Sequence, residues 1–216
     1  MESYTVLPNR LVAGERLAGQ LLPYQHHPQG LILALPRGGV PVAFALAQQL
    51  QLPLDLCLVR KIGSPNQPEL ALGAIAQDNI QIFNQALIEQ LQLPWEKITP
   101  IIERERQELD RRNHTYRGQK PYPNLQDRIV ILVDDGLATG ATMMAAIAFV
   151  RSHHPQRIIL TIPVVAPSAL PTLRGLADEI ITLITPESLH SISLWYDDFR
   201  QVTDQEVHHY LKQAGF

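Results

Sequence analysis

Short apolar runs alternate with polar turns and amphipathic stretches along most of the chain. The clearest run is Ile129 to Val133, continuous and rich in β-branched residues, as in a strand buried on both faces of a parallel sheet. It stops at Asp134-Asp135-Gly136, passes through a small-residue turn, and gives way to a helical stretch, Met143 to Val150, that begins near Ala141. The same plan occurs earlier. Leu31 to Leu35 reads as a strand, Pro36-Arg37-Gly38-Gly39 as a turn, and Val42 to Leu50 as a helix with Pro41 as its first residue. Further strands are predicted at Leu54–Val59, Leu70–Ala76, Arg157–Val165 and Glu179–Ile184, with Ile80–Asn84 forming a hairpin with Leu70–Ala76.

Helical patterns cover Asn9–Leu22, Gln85–Leu93, Ser168–Ala177 and a long charged segment within Pro94–Arg117. That segment should open at Thr99-Pro100, carry the favourable Glu108/Arg112 pair, and stop at Gly118. Thr203 with Glu206 forms a capping box for a last helix. Strands alternating with helices predict one α/β domain over residues 1–216, a mainly parallel sheet of about five strands flanked by helices.

Composition agrees with a globular chain of ordinary core size: 216 residues, 45% hydrophobic and 18% charged. With 18 basic and 21 acidic residues the net charge is −3, which disfavours general nucleic-acid binding. The one cysteine, Cys57, lies in an apolar run and reads as a core thiol. The residues MESYTVLPNR lack a basic start followed by an apolar core, and the apolar stretch Ile158–Leu173 is broken by Pro163, Pro167 and Pro171. Neither a secretory leader nor a membrane helix is expected, and a reducing cytoplasmic setting follows. The histidines show no metal-ligand spacing.

The turn after Val133 holds the most informative chemistry. Its small residues let backbone N–H groups approach an anion, and the following helix points its positive end at the same place. Thr139 and Thr142 add hydroxyl donors. A phosphate fits there, whereas Asp134 and Asp135 would repel it. Two carboxylates suit the hydroxyls of a sugar, or a metal ion. Phosphate on one side and diol on the other describe a ribose 5-phosphate. The plainer reading is a strand-turn-helix junction whose acids cap the helix.

VILVDDGLATGATM resembles the signature of the type I phosphoribosyltransferases, which bind 5-phosphoribosyl 1-pyrophosphate (PRPP). The resemblance implies that Asp134 and Asp135 hold the ribose hydroxyls, and that Leu137, Ala138, Thr139, Gly140, Ala141 and Thr142 form the 5-phosphate loop. LPRGGVP occupies the place of the family's pyrophosphate loop, so Arg37, Gly38 and Gly39 would bind pyrophosphate. By itself that stretch is also an ordinary turn with a surface arginine. In the family a mobile loop after the second core strand closes over the reacting centre. Arg60 and Lys61, followed by the Gly/Pro-rich loop Ser64–Pro68, would there neutralise departing pyrophosphate; on sequence alone they are equally a solvated basic pair.

RKIGSPNQPELALGAIA and the charged helix resemble a bacterial subgroup whose substrates are unsettled. That helix face reads as solvated or subunit-facing, which leaves a homodimer open. The family places a small hood at the strands' carboxyl edge, here from residues 1–29 and 185–216. Within it, Trp195 and Tyr196 are candidates for the acceptor site or, more simply, anchors for the tail. Trp195 and Phe199 would share a face if one helical turn joined them. The 6-oxopurine enzymes carry an acid three places beyond the second ribose acid. Ala138 stands there in this chain, closer to the adenine enzymes.

The implied reaction transfers ribose 5-phosphate from PRPP, with Mg²⁺, to a nitrogen acceptor of the nucleobase class and releases pyrophosphate. The alternative is a PRPP- or nucleotide-binding regulator with little activity. A hydrolase would need a nucleophile elbow and a kinase a Walker loop, and the sequence has neither.

Overall fold

The computed structural model describes residues 6–68, 70–77 and 80–216. The first five residues of the stretch read for a leader, and assigned to the hood, lie outside them. The chain divides into two compact units. The first comprises the chain up to Cys57, Pro123–Gly140 and His153–Phe216; the second comprises Leu58–Tyr122 and Ala141–Ser152.

The first unit is built on an all-parallel sheet of five strands: β1 (Gly30–Ala34), β2 (Leu54–Leu56), β6 (Ile129–Val133), β7 (Arg157–Val164) and β8 (Glu179–Ile184), in the order β2-β1-β6-β7-β8. This is the expected mainly parallel sheet. β1 and β6 are buried along their whole length, which is why their runs show no alternation. Helices α1 (Arg10–Ala18), α2 (Gly39–Leu50), α6 (Leu170–Arg174) and α7 (Asp204–Gln213) also belong to this unit. Helix α1 packs closely on α2: a Cβ on Gly14 would collide with the carbonyl of Val42. The chain leaves β1 toward β2 on one side and returns to β6 on the other, so the order reverses between β1 and β6.

The second unit holds a three-stranded antiparallel sheet, β3 (Val59–Gly63), β4 (Ala71–Ala76) and β5 (Gln81–Phe83), in that order, with helices α3 (Gln85–Gln90), α4 (Trp95–Arg117) and α5 (Ala141–Ser152). The hairpin expected between Leu70–Ala76 and Ile80–Asn84 is the β4/β5 pair.

Several expectations are corrected. Leu54–Val59 is not one strand. Its pairing with β1 ends where the Cys57 N–H donates to the Ala34 carbonyl (2.8 Å), and Val59 begins β3 in the other unit. Arg60 and Lys61 therefore lie within an antiparallel strand, not at the end of a parallel one. Helix α4 starts at Trp95 rather than at Thr99-Pro100, and Pro100 sits inside it. Thr99 is no cap; its hydroxyl donates back to the Trp95 carbonyl at 3.0 Å. Helix α2 begins at Gly39, with Pro41 third rather than first. That position is still tolerated, because the first four helical N–H groups have no partner within the helix. The helix expected at Ser168–Ala177 shortens to α6 after a single tight turn, Pro167–Ala169. No helical turn joins Trp195 to Phe199, because Tyr196 is extended. The Thr203/Glu206 capping box and the Glu108/Arg112 pair form as expected.

Candidate active site

Open α/β sheets bind ligands beyond the strands' carboxyl ends, where the strand order reverses. In the first unit this place lies between β1 and β6, whose last residues, Ala34 and Val133, are paired in register. The Leu35 N–H continues the ladder by donating to the Val133 carbonyl at 2.8 Å. Two loops leave side by side: Pro36–Gly38 from β1, and Asp134–Gly140 from β6.

The β1 loop is shaped by what surrounds it. The peptide bond between Pro36 and Arg37 is cis. A Cβ on Gly38 would collide with the Asp135 carboxylate, and one on Gly39 would lie 2.7 Å from the Val133 carbonyl oxygen. Arg37 is half-buried and forms an ion pair at 3.6 Å with Asp204, the first residue of α7.

The two acids are held differently. The Asp135 N–H donates to Oδ1 of Asp134 at 2.8 Å. Burial first, and then the neighbouring Asp135 carboxylate, push Asp134 well above the usual carboxylate range. The Asp135 carboxylate accepts from Nε of Arg10 at 2.7 Å. Its carbonyl accepts from the Tyr196 hydroxyl, also at 2.7 Å. Tyr196 is 5% exposed. Its own burial, and then Asp135, raise its pKa, so the hydroxyl stays a donor.

Beyond the acids, Gly136 packs against Ile192, leaving no space for a side chain. Leu137 bridges to Val165: its N–H donates to the Val164 carbonyl and its carbonyl accepts from Ala166, both at 2.8 Å. Ala138 and Thr139 are exposed. Gly140 has φ +81°, which favours glycine, and a Cβ there would make only ordinary contacts with Leu137 and Ala169. Ala141 and Thr142 open α5, which belongs to the second unit.

Of the two acceptor candidates, Tyr196 is engaged with Asp135, and its ring lies 4.9 Å from that of Phe199. Trp195 is half-buried against a cluster containing Leu7, Val164 and Ile184. The chain's two ends meet here: Leu7 bridges to Tyr196, and its N–H donates to the Trp195 carbonyl at 2.9 Å.

In the second unit, Arg60 donates from Nε (2.9 Å) and Nη2 (2.6 Å) to one oxygen of the buried Glu105 on α4, while Arg104 donates to the other oxygen. Arg60, Lys61, Lys97 and Arg104 line an open cavity of about 430 Å³. Among the described residues, no group of three or more His, Cys, Asp or Glu could hold a metal ion. No described helix is long and apolar enough to cross a membrane.

Arg10 is the site residue that the hydrophobic pattern does not reveal. A signal for it did exist. Arg10 is the first residue of a helix capped by Asn9, where a cation opposes the helix dipole. Such a residue is expected to answer to a carboxylate elsewhere.

Residues 1–191 match the phosphoribosyl transferase domain. Two relatives from Mycobacterium tuberculosis strains CDC 1551 and H37Rv, both provisionally named phosphoribosyl transferases, are 38% identical over 202 residues, or 94% of this chain. The chain spans 45% of the length of those relatives. The crystal structure of TT1426 from Thermus thermophilus is similar over 97% of this chain and 99% of its own, with TM-score 0.81 and 34% identity. AQ2163 from Aquifex aeolicus shares the fold over 84% of this chain and 77% of its own, with TM-score 0.53 and 14% identity. Joined to a reversal point flanked by an acidic pair and two glycine-bearing loops, these matches show that the chain belongs to the phosphoribosyl transferase domain family.

Proposed function

We propose that the chain binds PRPP with Mg²⁺ at the carboxyl ends of β1 and β6. It transfers ribose 5-phosphate to a nitrogen acceptor, most simply a nucleobase, and releases pyrophosphate. The observation that carries this reading is the contact between the loops: the Asp135 carboxylate lies directly against Gly38. Acceptors for a diol and a glycine-lined backbone for an anion thus share one wall. PRPP carries those groups side by side, its pyrophosphate attached to the carbon next to the 2-hydroxyl.

Asp134 and Asp135 accept hydrogen bonds from the ribose hydroxyls and fix the sugar. Gly38 and Gly39 let backbone N–H groups reach the pyrophosphate, and Arg37 adds a charged fork. Leu137 to Gly140, with Ala141 and Thr142 at the start of α5, receive the 5-phosphate. The bond from the anomeric carbon to the pyrophosphate oxygen breaks, its electron pair leaving with pyrophosphate. A bond to the acceptor nitrogen forms, and that nitrogen gives up a proton. Positive charge developing on the ribose is met by the acids, so position and electrostatics supply the acceleration. The family resemblance assigns Arg60 and Lys61 to the departing pyrophosphate.

No direct protein ligand is assigned to Mg²⁺, which would arrive with PRPP and keep water in its shell. When bound, Mg²⁺ would neutralise charge on the pyrophosphate.

A second reading, a PRPP- or nucleotide-binding regulator, is favoured by one observation. Arg37 and Asp135 are already paired, with Asp204 and Arg10 respectively, so a ligand would act by exchanging ion pairs. A thermal-shift panel of nucleobases and amines with PRPP and Mg²⁺, followed by pyrophosphate detection, separates the readings. Pyrophosphate release with one acceptor supports the transferase. Tight PRPP binding without release across the panel supports the regulator. No response to PRPP overturns both.

A further inference from the structure

Arg10 is 8% exposed, an unusual place for a guanidinium unless its donors are satisfied. Its Nε donates to Oδ2 of Asp135 at 2.7 Å. Its Nη1 donates to the Arg200 carbonyl at 2.9 Å. Its carbon centre stands 3.8 Å from the centroid of the Phe199 ring. One planar group therefore joins α1, the loop after β6 and the segment before α7. The Tyr196 hydroxyl holds the carbonyl of the same Asp135 at 2.7 Å, and Gly38 leaves the space that the carboxylate occupies. Asp135 is thus fixed at its carbonyl and at one carboxylate oxygen. Its other oxygen, Oδ1, takes no part in the Arg10 bond.

We infer that Arg10 is a positioning residue for sugar recognition: it fixes the Asp135 carboxylate so that the remaining oxygen faces the ribose hydroxyls of PRPP. This rests on the assignment of Asp135 to the ribose. Arg10 acts through Asp135 and does not itself touch substrate. The fork matters as much as the charge. Arginine can serve Asp135 and the Arg200 carbonyl at once, whereas lysine presents a single point of charge. The contact also explains why a cation stands at the start of α1, against the helix dipole.

A double-mutant cycle tests the inference, because groups that act as a unit are not additive. Titration calorimetry with Mg·PRPP is carried out on the wild type, Arg10→Met, Asp135→Asn and the double variant. The expected result is that Arg10→Met weakens binding at least about tenfold in the wild type and less than about twofold in the Asp135→Asn background. A general loosening of α1 would cost the same factor in both backgrounds and would overturn the inference. So would unchanged affinity in Arg10→Met when Asp135→Asn weakens binding. If Asp135→Asn itself binds PRPP as the wild type does, the assignment of the ribose acid fails instead. Should Arg10→Met not fold, Arg10→Lys gives the same test. It is expected to weaken binding by a smaller factor, again only where Asp135 is present; equal loss in both backgrounds overturns the inference.

Discussion

The Asp135 carboxylate occupies the space that a side chain on Gly38 would need. Gly38 has φ −62°, so its backbone conformation suits any residue. What requires glycine there is the approach of the acid. One position of the β1 loop therefore depends on one side chain of the β6 loop, and the two loops should fail together.

Gly38→Ala is accordingly expected to displace Asp135 or lift the β1 loop. Overpacking of this kind costs about 1–3 kcal/mol. The affinity for Mg·PRPP should fall by about tenfold or more, since tenfold is about 1.4 kcal/mol. Calorimetry and a thermal melt check it. A folded variant with wild-type affinity would show that the loops bind independently.

Asp134 is costly to ionise in the folded protein. Burial and the Asp135 carboxylate raise its pKa in the folded state. The stability contributed by the protonated form is complete below the unfolded pKa and is lost as pH rises through the raised folded value. Asparagine keeps the neutral form and can still accept the Asp135 N–H. Asp134→Asn should therefore melt higher than the wild type above that range and match it at low pH, while binding Mg·PRPP more weakly. Asp134→Asn with Asp135→Asn should stay folded and lose PRPP binding. Melting curves across pH, paired with calorimetry, read both effects. A variant that never exceeds the wild type in stability would show that the charged form costs the fold nothing.

Arg37→Ala should weaken pyrophosphate more than ribose 5-phosphate. The difference should be about 1.5–3 kcal/mol, the worth of a hydrogen bond to a charged group. Asp204 already draws on the same guanidinium at 3.6 Å, so the measured loss should lie toward the lower end. Equal weakening of both ligands would show that the two loops have been assigned wrongly.

What the sequence made legible follows from the range of the interactions involved. β6 and β8 stand where they were read, Ile129–Val133 and Glu179–Ile184, because their apolar character ends abruptly in charge or proline. Thr203 with Glu206 was legible because a capping box lies within four residues. The break after Cys57 was not. Leu54 to Val59 is apolar apart from Asp55, and only distant pairing decides that Cys57 ends one sheet while Val59 begins another. Division into two units was hidden for the same reason, since α5 joins a unit whose other residues precede it in sequence. Thr99-Pro100 looked like a helix start because local chemistry favours it there, yet α4 begins a turn earlier. The Arg10 to Asp135 contact spans 125 residues. Sequence could flag the misplaced cation but not name its carboxylate.

The aromatic segment before α7 divides into two roles that single substitutions can separate. Tyr196 gives its hydroxyl to the Asp135 carbonyl, so Tyr196→Phe should weaken Mg·PRPP binding and leave the KM of an accepted base unchanged. Trp195 is half-buried. A flat ring of that kind suits a planar base. The other tryptophan, Trp95, stands in the second unit with its ring 5.0 Å from Phe83. Trp95→Phe leaves Trp195 as the sole tryptophan fluorophore. In that background, adding an accepted base after PRPP should quench or shift the emission, and Trp195→Leu should raise the base KM several-fold. Emission that responds to PRPP alone and not to the base, together with an unchanged KM in Trp195→Leu, would make Trp195 a tail anchor and move the acceptor site elsewhere.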